Sequence, residues 1–414
     1  MRFDYDVIIA GGGPAGSSTA NFLRQRGRSV LLLEKEKFPR FHIGESLLPF
    51  SNEIWSELGV LDDLKAHMMH KPGAHFVNEE TGVEFTYYFK DAIRGDYPHA
   101  FQVKRAIFDK LLLDRARVVG AEVRESTRVR DVRIATNGVT VDFVGPSGSG
   151  SATAPLFVDA SGRDALLARR EDLKVPDELV TTNVAVFAQF EGVERAEGPD
   201  VGNIVIGLFP HGWWWNIHFA DGDSSVGLVL EKEFTKGHRG GTPEEIMQSA
   251  ISELPGLRRR LSHAKPRIAI GSEANWSYRS RRFCGDRRLL VGDAAAFVDP
   301  LFSTGVLFAT QGAKFAAAHI DAALSDGDFS AARFAPYQEQ CIAGMDVFKR
   351  LVHEFYSRAF RQVLVRPQGR EGLVRIVTSL LAGDVYRPAM WHSLVKTPGF
   401  SETLAAGAPA LFLG

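Results

Sequence analysis

A short β-branched run, Tyr5 to Ala10, stops at three glycines, Gly11 to Gly13, which predicts a buried strand. From Pro14 to Arg26 the period is helical and closes at Gly27. A second apolar run, Ser29 to Leu33, ends at Glu34. Strand, helix and strand make a βαβ unit. Between Ala74 and Val103 the pattern shortens to alternation, with turn signals at Glu80-Thr81-Gly82 and Arg94-Gly95-Asp96. Alternation returns from Thr181 to Leu230, where Val184, Val186, Ala188 and Phe190 share one face, as do Val226, Leu228 and Leu230. That predicts an antiparallel sheet with one wet face. After Asp293 the helical period resumes, with breaks expected near Pro336, Pro367 and Pro388. The expected plan is α/β. A Rossmann-like nucleotide-binding domain is built from 1–73, 100–178 and 268–335. A substrate domain made of antiparallel sheet is inserted at 74–99 and 179–267, and 336–414 forms a helical C-terminal region.

Composition narrows the picture. At 414 residues the chain suits two domains, with room for a third small one. A formal net charge of -1 gives no reason to expect a nucleic-acid partner. Cys284 and Cys341, the two cysteines, exclude a disulfide scaffold and a cysteine zinc site, and no metal is expected. No apolar run approaches the roughly 20 residues of a membrane span. Asp4 and Asp6 flank the first strand, which argues against a signal peptide. A cytoplasmic, soluble protein without membrane contact is the expectation. From Cys341 onward, nine Lys/Arg against five Asp/Glu leave an excess of four positive charges. Such a patch could receive an acidic carrier protein or be an ordinary solvated surface.

Gly11-Gly-Gly-Pro-Ala-Gly16 satisfies G-x-G-x-x-G at Gly11, Gly13 and Gly16. Each glycine removes a Cβ where the chain turns, where a pyrophosphate approaches, or where helix meets strand. The helix start offers free N–H groups and partial positive charge to phosphates. Glu34, ending the second strand, is placed to accept both ribose hydroxyls. The loop alone does not separate FAD from NAD.

Later segments separate them by resemblance. Leu156-Phe-Val-Asp-Ala-Ser-Gly-Arg163 resembles the aspartate-glycine motif of the aromatic hydroxylase-like flavoproteins. Leu289-Leu-Val-Gly-Asp-Ala-Ala-Ala296 resembles their second FAD motif, whose aspartate, here Asp293, meets the ribityl chain. Arg105, followed by Phe108 and Asp109, resembles the arginine near the flavin. No second glycine fingerprint for NAD(P) is visible. Within that superfamily the chain resembles the flavin-dependent halogenases, in the branch acting on phenols and carrier-bound pyrroles or tyrosines. Phe38-Pro-Arg-Phe-His-Ile-Gly-Glu-Ser-Leu-Leu-Pro49 is close to their signature, and Phe297, Pro300, Ser303 and Gly305 match their F-x-x-P-x-x-S-x-G pattern.

The resemblance implies FAD contacts at Gly11, Gly13, Pro14, Ala15, Gly16, Glu34 and Lys35. It adds Arg40, Gly44, Glu45, Ser46 and Arg105, then Ala160, Gly162, Asp293, Pro300, Gly305 and Val306. Halide, chloride or bromide, is implied at Thr304 and Gly305, where N–H groups at a helix start bind an anion. Lys71 is implied as the catalytic lysine. By composition alone it would read as a surface lysine. His211-Gly-Trp-Trp-Trp-Asn-Ile-His218 resembles the family's W-x-W-x-I-P box through Trp213, Trp215 and Ile217, which are placed on the substrate side. An aromatic strand in the sheet core is the plainer reading of the same residues. His218 replaces the proline, restoring an N–H donor and adding a titratable ring. A leakier enzyme, with peroxide release or hydroxylation competing, is expected from that. Phe302, also substrate-side, stands where tryptophan halogenases carry a glutamate, which argues against free tryptophan and for a phenol or pyrrole.

What the resemblance implies for function is an FAD-dependent halogenase. A separate flavin reductase supplies FADH2, oxygen and halide yield hypohalous acid, and Lys71 presents the halogen to an aromatic substrate, free or on an acyl or peptidyl carrier protein. An FAD monooxygenase or dehydrogenase/reductase of the same fold is the alternative, and halide dependence separates the two. A non-catalytic flavin sensor is the rival from another class.

Overall fold

A computed structural model describes residues 2–177, 183–231, 234–235, 237, 241–274, 276–367 and 371–387. Val7–Ala10, Val30–Leu33 and Leu156–Asp159 are buried at every position and lie side by side in parallel. Arg288–Leu290 and Glu122–Arg124 extend this parallel sheet on either side, and Cys284–Gly285 adds an antiparallel edge. Continuous apolar strands are what a sheet covered on both faces requires. The helix Pro14–Gln25 opens with proline in its first turn and packs against the long helix Thr304–Asp326.

The second large sheet joins two segments more than a hundred residues apart. Its order is Lys265–Pro266, Asn183–Glu191, Ser224–Glu231, Gly212–His218, Ile204–Phe209, Gly73–Asn78 and Glu84–Tyr88. Ile204–Phe209 and Gly73–Asn78 run parallel, and the other pairings are antiparallel. Gly271–Ala274 also pairs with Asn183–Glu191, carrying the sheet past residue 267.

The expected wet face is absent. Val186, Ala188, Phe190, Val226, Leu228 and Leu230 pack against Met247, Ala250, Leu254 and Leu257. Those residues belong to the helices Pro243–Ser252 and Pro255–Arg260 and the turn between them. The opposite face carries Ala185, Phe187, Trp213, Trp215 and Ile217 toward the main core. Trp215 lies against Gly227 on the paired strand, where a Cβ would come within 2.3 Å of its ring. Glycine there lets the indole lie flat on the sheet.

A three-stranded antiparallel sheet, Arg128–Ala135, Gly138–Gly145 and Gly148–Ala154, was not expected from the sequence. The C-terminal part is helical as read: Thr304–Asp326, Ala331–Phe355, Arg358–Val365 and Glu371–Leu381. Pro336, expected as a break, sits inside Ala331–Phe355. A proline costs about 3 kcal/mol in a helix interior, and the buried face of Phe334, Tyr337, Cys341, Met345 and Phe348 offsets it. Arg358–Val365 does end just before Pro367, and Pro388 lies outside the described residues. Among the described residues no helix is long and apolar enough to cross a membrane.

Candidate active site

A cavity of about 540 Å³ opens between the two large sheets, at the carboxyl ends of the parallel strands. Open α/β sheets bind ligands at that end. Every FAD contact expected from the sequence lies in its wall except Gly16. The three fingerprint glycines divide their work. A Cβ on Gly16 would stand 1.9 Å from the Gly11 carbonyl oxygen, and one on Gly11 (φ +105°) 2.2 Å from that of Ala160. Both are therefore internal packing requirements. Gly13 has extended backbone (φ -68°, ψ -175°), and its nearest neighbour would be Arg40 Nη2 at 3.5 Å. The space its missing side chain leaves belongs to the cavity.

Glu34 is buried at the strand end and pins the loop. Oε2 accepts from the Gly12 N–H at 2.6 Å and Oε1 from the Glu36 N–H at 2.8 Å. Each oxygen keeps a second lone pair for a ribose hydroxyl. Lys35 pairs with Asp164 across the rim at 2.5 Å. Arg105, 6% exposed, spends its fork on Asp109 (2.6 and 2.9 Å) and on the Ile43 carbonyl at 2.8 Å. Burial would raise the Asp109 carboxyl, but Arg105 and then Arg40, 3.0 Å away, hold it below the usual range. The segment from Ile43 to Ser46 is thereby fixed against the wall.

Another part of the cavity wall is an open helix start. Thr304–Asp326 begins there, and its capping residue Ser303 (φ +59°) makes no side-chain cap, so protein side chains leave the first N–H groups open. Thr304, Gly305, Val306 and Pro300 line this part. Asp293 faces the same space, its carboxyl pushed up to about 6 by burial against the opposing pull of Arg105, Arg163 and Lys174. An open glycine turn, the strand-end acid Glu34 and an uncapped helix start in one cavity wall suit FAD.

Glu45, 1% exposed in the wall, accepts from Gln189 Nε2 and is pushed up to about 7 by burial. Lys71 is only 2% exposed and stands behind the wall. Its Nζ donates to Ser46 Oγ at 2.8 Å and to the Leu47 carbonyl at 2.9 Å, with the Phe89 ring 5.3 Å away. Burial without a carboxylate partner pushes its pKa down to about 7. A surface lysine is excluded.

Trp213, Trp215 and Ile217 line the cavity, joined by Phe187 and Phe41, whose rings stack at 6.4 Å. Phe187 and Trp276 are wall residues that the sequence analysis did not single out. Phe302 is not in the wall; it packs on Phe348 and Phe355 in the helical region. His218 corrects a second expectation. Strand alternation puts it on the sheet face opposite the cavity, 1% exposed, with Nδ1 2.7 Å from Ser224 Oγ. Burial, then Arg195 and Arg260, lower its pKa to about 3. A ring that stays neutral and faces away from the flavin site gives no route to the leak expected of it. Several of the C-terminal basic side chains are already engaged within the chain. Lys349 pairs with Asp177, Arg350 with Glu354 and Arg387 with Asp96 and Asp384, and Arg361 donates to the Phe209 carbonyl. Arg370 and Lys396 lie outside the described residues.

A parallel nucleotide sheet, a glycine turn, a long cavity and an inserted aromatic sheet define an FAD-dependent oxidoreductase. The chain belongs to the tryptophan halogenase family, which matches residues 6–95 and 90–362, and it is a flavin-dependent halogenase. It is 32% identical over 412 residues to the 1H-pyrrole-2-carbonyl-[peptidyl-carrier protein] chlorinase of Pseudomonas fluorescens, covering 92% of this chain and 90% of the relative. The corresponding brominase of Pseudoalteromonas luteoviolacea is 32% identical over 381 residues, covering 90% and 91%. Among solved structures, the flavin-dependent brominase Bmp2 superposes with a TM-score of 0.84 at 30% identity, over 95% of this chain and 97% of that one. A flavoprotein/dehydrogenase from Cytophaga hutchinsonii gives 0.88 at 28% identity, over 97% and 98%.

Proposed function

We propose that the chain halogenates an electron-rich ring, a pyrrole or phenol held on a carrier protein, with Lys71 as its catalytic residue. The observation that carries this reading is Lys71 itself, a buried ammonium with neutral hydrogen-bond partners beside the cavity wall. Burying an unpaired charge costs several kcal/mol, a cost that a purely structural position would avoid with methionine.

When bound and reduced, FAD supplies the electrons that activate oxygen to oxidise the halide. The chain's own residues do the rest. The N–H groups of Thr304 and Gly305 hold the halide at the helix start, and Asp293 and Glu34 fix the cofactor's sugar ends. Trp213, Trp215, Ile217 and Phe187 exclude water from the space between. Lys71 donates a hydrogen bond to the oxygen of hypohalous acid, which makes the halogen more electrophilic. The ring attacks the halogen, the oxygen leaves as water with the ring's displaced proton, and the lysine is left unchanged. Reduced FAD is supplied by a separate flavin reductase.

Tethering is tested by turnover with reduced FAD, oxygen and bromide, using pyrrole-2-carbonyl on a peptidyl carrier protein against free pyrrole-2-carboxylate. The expected result is product from the tethered ring at least about tenfold faster, the equivalent of one good interfacial contact. Equal rates would remove the carrier from the reading.

A further inference from the structure

The reach of Lys71 depends on three short extended segments. Met69–Lys71 pairs antiparallel with Ala100–Gln102, placing Met69 opposite Gln102 and Lys71 opposite Ala100. On the other side of Ala100–Gln102 runs the 45–47 segment, through a Ser46–Gln102 bridge and bonds from the Leu47 N–H to the Phe101 carbonyl and the Val103 N–H to the Glu45 carbonyl. Directly paired residues share a face. Lys71, Ala100, Gln102 and Ser46 therefore project the same way, and the lysine stem crosses the middle strand beside its smallest side chain. It arrives at Ser46 Oγ and the Leu47 carbonyl.

Among the described residues, Ser46 is the one that both lines the FAD cavity and hydrogen-bonds the lysine. An ammonium has three N–H donors, and two are spent here. The direction of the third follows from the other two. We propose that Ser46 is the positioning residue of Lys71, its hydroxyl fixing the ammonium so that the third N–H is presented to the oxygen of the halogenating species. This rests on the reading of Lys71 as catalytic. The backbone carbonyl cannot be removed by substitution, so Ser46 is the adjustable half of the clamp. Its own exposure is 4%, and Arg105, through the Ile43 and Gly44 carbonyls, holds the segment that carries it.

The titratable groups around the lysine do not compete for it. Glu45, beside Ser46, bonds Gln189 on the sheet side. His70, next in sequence, stacks on His99 with centroids 4.7 Å apart, and Lys90 and Asp91 beyond Phe89 are exposed. Burial is the sole cause of the lowered Lys71 pKa. A hydroxyl oxygen accepting from the ammonium favours the charged form. Its loss therefore lowers the lysine pKa further, and a rate that needs the ammonium then falls off at a lower pH.

The test compares wild type, Ser46→Ala, Ser46→Thr and Lys71→Ala. In protein carrying ε-15N-lysine, the resonance absent from Lys71→Ala is titrated without any substrate. Ser46→Ala should move its midpoint from about 7 downward by roughly one pH unit, a tenfold change in proton affinity. With reduced FAD, oxygen, bromide and the pyrrole-2-carbonyl carrier protein, Ser46→Ala should lose roughly ten- to a hundredfold in kcat, the range for a hydrogen bond to a charged group. The descending pH limb should shift in the same direction, and Ser46→Thr should recover most of the loss. An unmoved lysine midpoint, or undiminished kcat in Ser46→Ala, overturns the proposal, as does Ser46→Thr behaving like Ser46→Ala. If Lys71→Ala still halogenates at the wild-type rate, the catalytic reading of Lys71 falls instead, and the titration still reports whether Ser46 holds the amine.

Discussion

Lys71→Met yields a protein that binds FAD and oxidises its reduced form in air, yet makes no halogenated product. Methionine matches the lysine's length, fills the same dry space and needs no hydrogen-bond partner. The cost of burying an ammonium beside Ser46, Leu47 and Phe89 disappears, so the variant should melt at or above the wild-type temperature. Halogenation should drop by at least about a hundredfold, in line with the loss of a positioned acid or electrostatic group. Flavin oxidation should continue, its electrons leaving as hydrogen peroxide, because Lys71 does not line the cofactor cavity. A stable variant that has lost activity separates function from folding, which Lys71→Ala, with its residual void, does less cleanly. Thermal melting, flavin absorbance and the ratio of product to peroxide check the three parts.

Gly13→Val should fold and stay colourless. The Gly13 backbone is extended, and a Cβ there would meet only Arg40 Nη2 at 3.5 Å, so the backbone tolerates a side chain. That side chain would fill the place proposed for the pyrophosphate, and at least about two charge-assisted hydrogen bonds would go with it. An affinity loss of at least about a hundredfold follows. Gly16→Ala is the contrast. Its Cβ falls 1.9 Å from the Gly11 carbonyl, so stability itself should suffer. Flavin titration and circular dichroism distinguish a folded apoprotein from an unfolded one. A yellow Gly13→Val protein would contradict the placement of FAD.

The βαβ unit and the cofactor motifs were legible because each is local. The glycines, Glu34 and the strand before them sit within about thirty residues, and their chemistry depends on spacing alone. The covered sheet face was missed because its cover comes from elsewhere. Thr242-Pro-Glu-Glu245 is a capping box in the structure, and that pattern was the available signal for the helix on the far face. Asn137-Gly138, between two alternating runs, likewise marked the hairpin of the unexpected three-stranded sheet. The orientation of His218 was readable in principle: if Trp213, Trp215 and Ile217 share one face, residue 218 takes the other. The Lys71–Ser46 contact was not readable. It exists only once 69–71 and 45–47 have paired on either side of 100–102, and sequence spacing carries no trace of that.

The central claim is that this cavity spends reduced flavin on carbon–halogen bond formation. Mass spectrometry of a reaction containing the protein, FADH2, oxygen, bromide and the pyrrole-2-carbonyl carrier protein tests it most directly. The predicted result is a product carrying bromine's paired isotope pattern, absent when bromide is omitted and absent from Lys71→Met. An oxygenated or reduced product formed equally well without chloride or bromide would contradict the account and make the chain a halide-independent flavoenzyme.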